Sequence, residues 1–287
     1  MRRGLFTVII LNLAMAADRP MPVAAQDPPL PHDNGQSVTP SFEGWYRNPD
    51  STYSLSFGYM NRNYKEEPDI PIGVNNRFAP GPEDRGQPTH FMPRRQFGVF
   101  AVNVPKEFAN DKSNALTWTI TAHGETISIP GHLRPEWEID ALKEATSGNT
   151  PPVIKFDPNG PPGQGPLGMS TSMRVALAAP VTLTVYATDD GVKKREQIER
   201  PSRVPPLGVA WTKFRGPGKV SFAQNVPKVE NGKATTTATF SSPGEYILRL
   251  HAWDDSGRYA GGFQCCWTNG FVKLTVTGST AQSRYVR

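Results

Sequence analysis

Cysteine is scarce in this chain: among 287 residues there are two, Cys265 and Cys266, and they are adjacent. That excludes a disulfide-built scaffold, so the core has to come from apolar packing. Helical periodicity is missing as well. No long stretch repeats its apolar residues every 3.6 positions, which excludes bundles and alternating α/β folds. Charge is not concentrated: the net value is +5, and Lys and Arg are spread without a dense block. The basic stripe that nucleic-acid binding requires is therefore absent. No apolar run after residue 25 approaches the length of a membrane span.

Motifs that carry chemistry are missing too. There is no GxSxG elbow, and the two cysteines lack a catalytic signature. His90, His123, His132 and His251 are scattered without HExxH spacing, so no zinc or copper site is expected. Asp189-Asp190-Gly191 and Asp254-Asp255-Ser256-Gly257 follow strands and carry oxygen ligands of the kind Ca²⁺ takes, but they read as hairpin turns. Gly216-Pro217-Gly218-Lys219-Val220 imitates the end of a phosphate loop, yet Val220 replaces the Ser or Thr and a strand follows. Glu66-Glu67 and the Glu136/Glu138 pair offer carboxylates, but acid–base work needs a cleft separation that sequence spacing does not supply. No cofactor and no metal is expected.

What is present begins with a targeting pattern. Met1-Arg2-Arg3 is basic, Leu5 to Ala16 is apolar, and two small-residue cleavage sites compete: Ala14-Met15-Ala16 and Val23-Ala24-Ala25. The polar, Pro-rich Asp27-Pro28-Pro29 favours the second, giving a signal peptide over 1–25. Its removal takes away Arg2, Arg3, Arg19 and Asp18, and the charge falls from +5 to +3. No cysteine follows closely enough for a lipid anchor, so the expected product is exported, periplasmic or extracellular.

Residues 26–40 are rich in Pro, Asp, Asn and Gly and read as a flexible leader. Beyond them the period becomes two. Phe42 to Arg47 and Tyr53 to Met60 flank the turn cluster Asn48-Pro49-Asp50-Ser51. Phe97 to Val104, Leu116 to Ala122 and Thr126 to Ile129 complete a first sandwich over 41–148, with one helical turn expected across Ile139 to Ala145. The Pro- and Gly-rich 149–169 reads as a linker. A second sandwich over 170–278 has strands at Val181 to Ala187, Gly208 to Phe214, Ala234 to Phe240, Tyr246 to Trp253 and Phe271 to Thr277. Residues 279–287 are a tail. One apolar and one polar face per strand predicts an all-β protein of two antiparallel β-sandwich domains.

The second domain resembles an immunoglobulin-type or PKD-like sandwich. Trp211 stands where such folds place the core Trp of the third strand, and Pro243-Gly244-Glu245-Tyr246 puts a Tyr in the tyrosine-corner position. Two residues later Leu248 replaces the second disulfide cysteine of antibody domains, so the resemblance does not extend to that bridge. GPGKVSF (Gly216 to Phe222) and ATTTATFSSPGEYILRLHAWDDSG (Ala234 to Gly257) resemble repeats of bacterial extracellular proteins. SFEGWYRNPDSTYSLSFGYMNRN and QPTHFMPRRQFGVFAVNVP are similar to the N-terminal part of uncharacterised exported bacterial proteins with such a C-terminal domain. The resemblance implies a spacer, or a module that binds sugar or protein.

Two stretches are candidates for function. Residues 61–96 lack periodicity and are long for a loop in a compact domain. Tyr64, Arg77, Phe78, His90, Arg94 and Arg95 are its candidate contacts, arginine as a fork for carboxylates and the rings as flat faces. The competing reading is an ordered wrap that protects a strand edge. The second stretch is Gly261 to Gly270, where a vicinal Cys265–Cys266 disulfide would present Phe263 and Trp267. Across a trans peptide the two Cα atoms stand about 3.8 Å apart, short for a disulfide. Two alternatives stay open: one cysteine bridging another molecule, or two free thiols. The expected function is an exported, non-catalytic binding or adaptor protein of the cell envelope engaging glycan or protein. A polysaccharide-active enzyme or its accessory subunit and a purely structural spacer are the alternatives.

Overall fold

Alternation of apolar and polar residues builds nearly every strand. β1 (Val38–Arg47) and β2 (Tyr53–Asn61) form a hairpin, and β4 (Arg94–Val104) pairs with the far side of β2. A second sheet, β3 (Asn76–Ala79), β5 (Leu116–Ala122) and β6 (Glu125–Gly131), faces the first. Aromatic packing fills the space between them: Phe57 lies 5.3 Å from Phe78, 5.6 Å from Phe100 and 6.1 Å from Trp118, centroid to centroid. Such pairs add about 0.5–1.5 kcal/mol each beyond the area they bury.

The computed structural model describes residues 32–177, 179–192, 206–254, 256 and 265–278. The signal segment 1–25, leader residues 26–31, Phe263 and the tail 279–287 lie outside the described residues.

The second sandwich sets one sheet, β11 (Val220–Phe222), β12 (Lys233–Phe240), β9 (Val181–Thr188) and β7 (Val153–Lys155), against another. The partner sheet has the order β10 (Leu207–Arg215), β13 (Gly244–Asp254), β14 (Trp267–Thr277) and β8 (Met169–Ala176). Its topology is immunoglobulin-like. The entering chain pairs first with β9 through β7, then crosses to the other sheet as β8. Trp211 is buried on β10. The Tyr246 hydroxyl donates to the Ser242 carbonyl at 2.8 Å, the hydrogen bond of a tyrosine corner.

Three features differ from the sequence-based expectation. The β8–β14 pair is parallel, so the second sandwich is not antiparallel throughout. β3, β7, β8 and β11 are strands that the sequence reading did not mark, although β8 alternates with Met169, Met173 and Val175 toward the core; β7 spans three residues within the Pro/Gly-rich 149–169, where the sequence predicts no regular structure. An edge position makes that strand possible, because prolines beside it remove donors that no neighbouring strand needs. Over 139–145 the chain makes turns, and the nearest helix is a 3-10 turn at Pro135–Trp137.

The two sandwiches share an apolar seam. Phe214, Ile247 and Phe271 pack against the first core, with Phe214 6.5 Å from Phe100 and 5.1 Å from Phe271. Beside them Tyr46, Ile139, Ala141, Ala210, Trp253 and Trp267 form a separate buried cluster. The polar centre of this seam is Gly98, at a bulge of β4 opposite Gly58. Its N–H donates to Glu43 Oε2 at 2.6 Å, and its carbonyl accepts from Arg249 Nη2 at 2.9 Å, Asn269 Nδ2 at 3.0 Å and Trp267 Nε1 at 3.1 Å. Glu43 reaches across Gly58, where a Cβ would stand 2.1 Å from its Oε1.

Gly98 has φ +52, and a Cβ there would meet the Trp267 ring at 2.4–2.5 Å. Gly98→Ala therefore combines left-handed strain with overpacking and is expected to cost roughly 2–4 kcal/mol in urea denaturation. A loss below about 0.5 kcal/mol would show that Trp267 moves aside freely.

Candidate functional site

Residues 61–96 are ordered because buried amides serve their backbone. Asn61 Nδ2 donates to the Glu66 and Phe91 carbonyls, and Asn76 Nδ2 to those of Ile70 and Pro88. Asn76 Oδ1 accepts from Trp118 Nε1 at 2.9 Å, which ties the segment to the first core. Each such bond spares a buried carbonyl that would otherwise lack a partner. The sequence shows the asparagines, but their density reads as turn; nothing marks which of them turn inward.

The segment then docks on β10, the edge strand of the second sandwich. The Thr89 and His90 N–H groups both donate to the Phe214 carbonyl, at 3.0 and 3.2 Å. Arg215 donates to the Gln87 carbonyl and pairs with Asp84 at 2.7 Å. Between these contacts lies an ionic cluster. His90 Nδ1 is 2.9 Å from Asp69 Oδ1 and its Nε2 is 3.1 Å from Glu67 Oε2, while Lys213 Nζ lies 2.9 and 3.0 Å from the two Asp69 oxygens. This is the edge-covering wrap that the sequence left as the competing reading.

The sequence-derived candidates separate by placement. Phe78 is a core residue, stacked on Trp118 at 5.8 Å, and has no surface from which to meet a ligand. His90 is buried in the ionic cluster, and Trp267 is buried against Gly98. Arg77 donates through Nη1 to the Val74 carbonyl. At the start of β4 two neighbouring pairs form: Arg94 meets Tyr64 and the Arg62 backbone, while Arg95, the next residue along the strand, meets Phe97; the sequence did not single out Arg62 or Phe97. Tyr64 is 48% and Phe97 64% exposed. The Arg94 guanidinium lies 4.2 Å from the Tyr64 ring centre, and that of Arg95 lies 4.1 Å from Phe97. Phe97 lies next to the bulge at Gly98 and faces outward, on the opposite phase from the core residues Phe100, Val102 and Val104.

Charge at this surface is uneven. Arg95 donates to Glu43 Oε1 at 2.7 Å and to Ser41 Oγ at 2.9 Å. Burial pushes the Glu43 carboxyl above its ordinary range, against the opposing pull of Arg95 and the Gly98 N–H. Arg94 makes one protein hydrogen bond, from Nη1 to the Arg62 carbonyl at 2.9 Å. Among the described residues neither Arg62 nor Arg94 has a carboxylate partner.

Cys265 and Cys266 form a disulfide across a cis peptide, with Cα atoms 3.1 Å apart. Both are buried, and their sulfurs lie 3.8 and 3.6 Å from the Asn149 carbonyl oxygen. The trans geometry assumed from sequence does not hold there. Among the described residues no group of three or more His, Cys, Asp or Glu side chains is placed to hold a metal ion, and no helix is long and apolar enough to cross a membrane. A cleft of about 540 Å³ is lined by Tyr46, Asn103 and Leu167 among others, and Asn48 at its wall is engaged with Thr52 and Ser54.

No protein-family model matches the sequence, and comparison with curated proteins gives no match. Among solved structures the chain is similar to domains 4 and 5 of the S-layer protein SbsC, at 14% identity and a TM-score of 0.23 over 56% of this chain. It spans just under two thirds, 65%, of that fragment. It is also similar to titin domains z1z2 in complex with telethonin, at 12% identity and a TM-score of 0.25 over 84% of this chain and 98% of that one. The D00-D0 domain of intimin gives 10% identity and a TM-score of 0.26, covering 83% of this chain and all (100%) of that one. Likenesses this distant carry no functional argument.

The His90 cluster has a pH signature. Burial alone would lower the His90 pKa, but its hydrogen bonds to Asp69 and Glu67 outweigh it and hold the pKa above 6.5. Carboxylates only accept, so satisfying both ring nitrogens requires the imidazolium. Stability from this group is therefore present in full below about pH 6.5 and lost as pH rises through the raised folded value. Glu67, chiefly through its hydrogen bond to His90, is lowered; Asp69 is also lowered, its bonds to His90 and Lys213 overcoming burial. Their contributions vanish in acid. His90→Gln is expected to cost about 1–3 kcal/mol at pH 6 and to flatten the stability profile between neutral and mildly alkaline pH. Parallel profiles for variant and wild type in thermal melts would rule the linkage out.

Proposed function

We propose that this chain is an exported, non-catalytic binding or adaptor protein of the cell envelope, engaging glycan or protein through the surface at the start of β4. One observation carries the reading: Tyr64 and Phe97 are exposed rings on an otherwise rigid scaffold, each held under a guanidinium. Exposed aromatics fixed in this way present contact area at little entropic cost on binding. Export rests on the basic–apolar–small order of residues 1–25. The resemblance to exported bacterial proteins with an immunoglobulin-like or PKD-like domain supports the same location. The two sandwiches are proposed as the protein's two domains, with β7 drawing the start of the second back to Val153.

The enzymatic alternative would use carboxylates of residues 61–96. Glu67 and Asp69 instead grip His90 from either side, an arrangement that supports docking over acid–base work. The spacer alternative leaves the two exposed rings without a purpose.

In pull-downs from native envelope with glycan binding measured in parallel, Tyr64→Ala with Phe97→Ala is expected to abolish capture without lowering the melting temperature. Unchanged capture would sink the surface assignment. Hydrolysis in a glycosidase, esterase and peptidase panel that Glu67→Gln or Asp69→Asn removes would sink the non-catalytic reading.

A further inference from the structure

Resting on that reading of the surface, we propose that Arg62, Tyr64 and Arg94 form a site for a carboxylate-bearing glycan, a polysaccharide containing uronate sugars. Charge complementarity is the first argument. The neighbouring cations are paired within the protein: Arg95 with Glu43 at 2.7 Å and Lys65 with Asp33 at 2.7 Å. Arg62 and Arg94 are left without a carboxylate partner among the described residues; Arg94 Nη1 donates to the Arg62 carbonyl, and Arg62 is exposed.

Geometry is the second. Arg94 spends only Nη1 on the protein, so Nε and Nη2 remain to make the two parallel hydrogen bonds that a planar carboxylate accepts from an arginine fork. The Arg94 guanidinium rests over the Tyr64 ring, 4.2 Å from its centre. The backbone beneath is held: Asn61 and Asn63 are fully buried, while Arg62 and Tyr64 alternate outward from them. Asn63 Nδ2 donates to the Gln36 carbonyl and to Asn61 Oδ1, which locks the run.

Ligand shape is the third. A uronate carries its carboxylate on a pyranose ring whose C–H face suits an aromatic ring, so one sugar satisfies both the exposed aromatic and the open fork. An acidic peptide side chain offers the charge without the flat ring. Arginine matters here as a fork and not as a bare charge, so lysine is no substitute.

The test is retention of the full mature chain on immobilised polygalacturonate, on its methyl ester and on a neutral glucan. Binding to polygalacturonate is expected to fall as salt is raised, and to be lost on the ester and the glucan. Arg94→Lys is expected to weaken binding about tenfold, with Tyr64→Ala and Arg62→Ala also weakening it. Equal retention on the ester or the glucan, still sensitive to Tyr64→Ala, overturns the carboxylate assignment and leaves the surface reading intact. Polyglutamate competing as well as polygalacturonate overturns the glycan. Retention on none of these polymers, or retention that no variant alters, overturns the site itself; envelope capture sensitive to Tyr64 and Phe97 then decides separately whether the surface reading survives.

Discussion

One carbonyl organises the way the two halves of this protein meet. Gly98 O accepts three side-chain donors from the second sandwich, Arg249, Trp267 and Asn269, one more than its lone pairs. The same residue's N–H is held by Glu43 from the first sandwich. A buried arginine and a mostly covered glutamate are costly to desolvate, and ionic groups in such settings add little net stability. Their effect here is geometric. Arg249 also donates to Asn269 Oδ1, so only one register of β13 and β14 against the β4 bulge satisfies all of these groups.

Two glycines make the arrangement possible, and sequence reading has no way to see either. Gly58 lets Glu43 cross β2, and Gly98 lets the Trp267 ring lie flat on the backbone. In the sequence both are small residues inside apolar runs, with nothing to distinguish them from loose ends of a strand. The long strands were legible because a sheet with one wet face imposes a period of two, and Tyr246 was legible because a tyrosine corner occupies a fixed position. β7 and β8 were not. Both are edge strands whose register is set by β9 and β14, separate stretches of the chain, and the three residues of β7 are too few to show a period.

The 61–96 segment shows the limit in another form. Its composition correctly marks irregular backbone, but irregular backbone can be held as firmly as a sheet when side-chain amides take over the hydrogen bonding. Asn61, Asn63, Asn76 and Gln87 do so, all with no exposed surface. The candidate site was half visible for the same reason. Tyr64, Arg94 and Arg95 stand out as residue types, whereas Phe78 and His90 look alike in sequence and turn inward. Phe97 was passed over as the first residue of a strand, and its exposure beside the Gly98 bulge shows only in the structure.

Rigidity connects these features to binding. Surface aromatics on mobile loops lose freedom when they engage a ligand, and that loss subtracts from affinity. Phe97 instead adjoins Gly98 in the seam, and Tyr64 follows Asn63, which is buried and hydrogen-bonded to Gln36 and Asn61. Glu43 links the two environments, since one of its oxygens holds the Gly98 N–H and the other holds the Arg95 that covers Phe97. The contact that joins the sandwiches therefore also sets the orientation of an exposed ring. On the other side of the seam, the Cys265–Cys266 disulfide immediately precedes Trp267, so the strand that enters from it is fixed at its first residue to the same carbonyl. A ligand at the start of β4 would meet a surface positioned by both sandwiches, and neither sandwich alone holds all the groups that shape it.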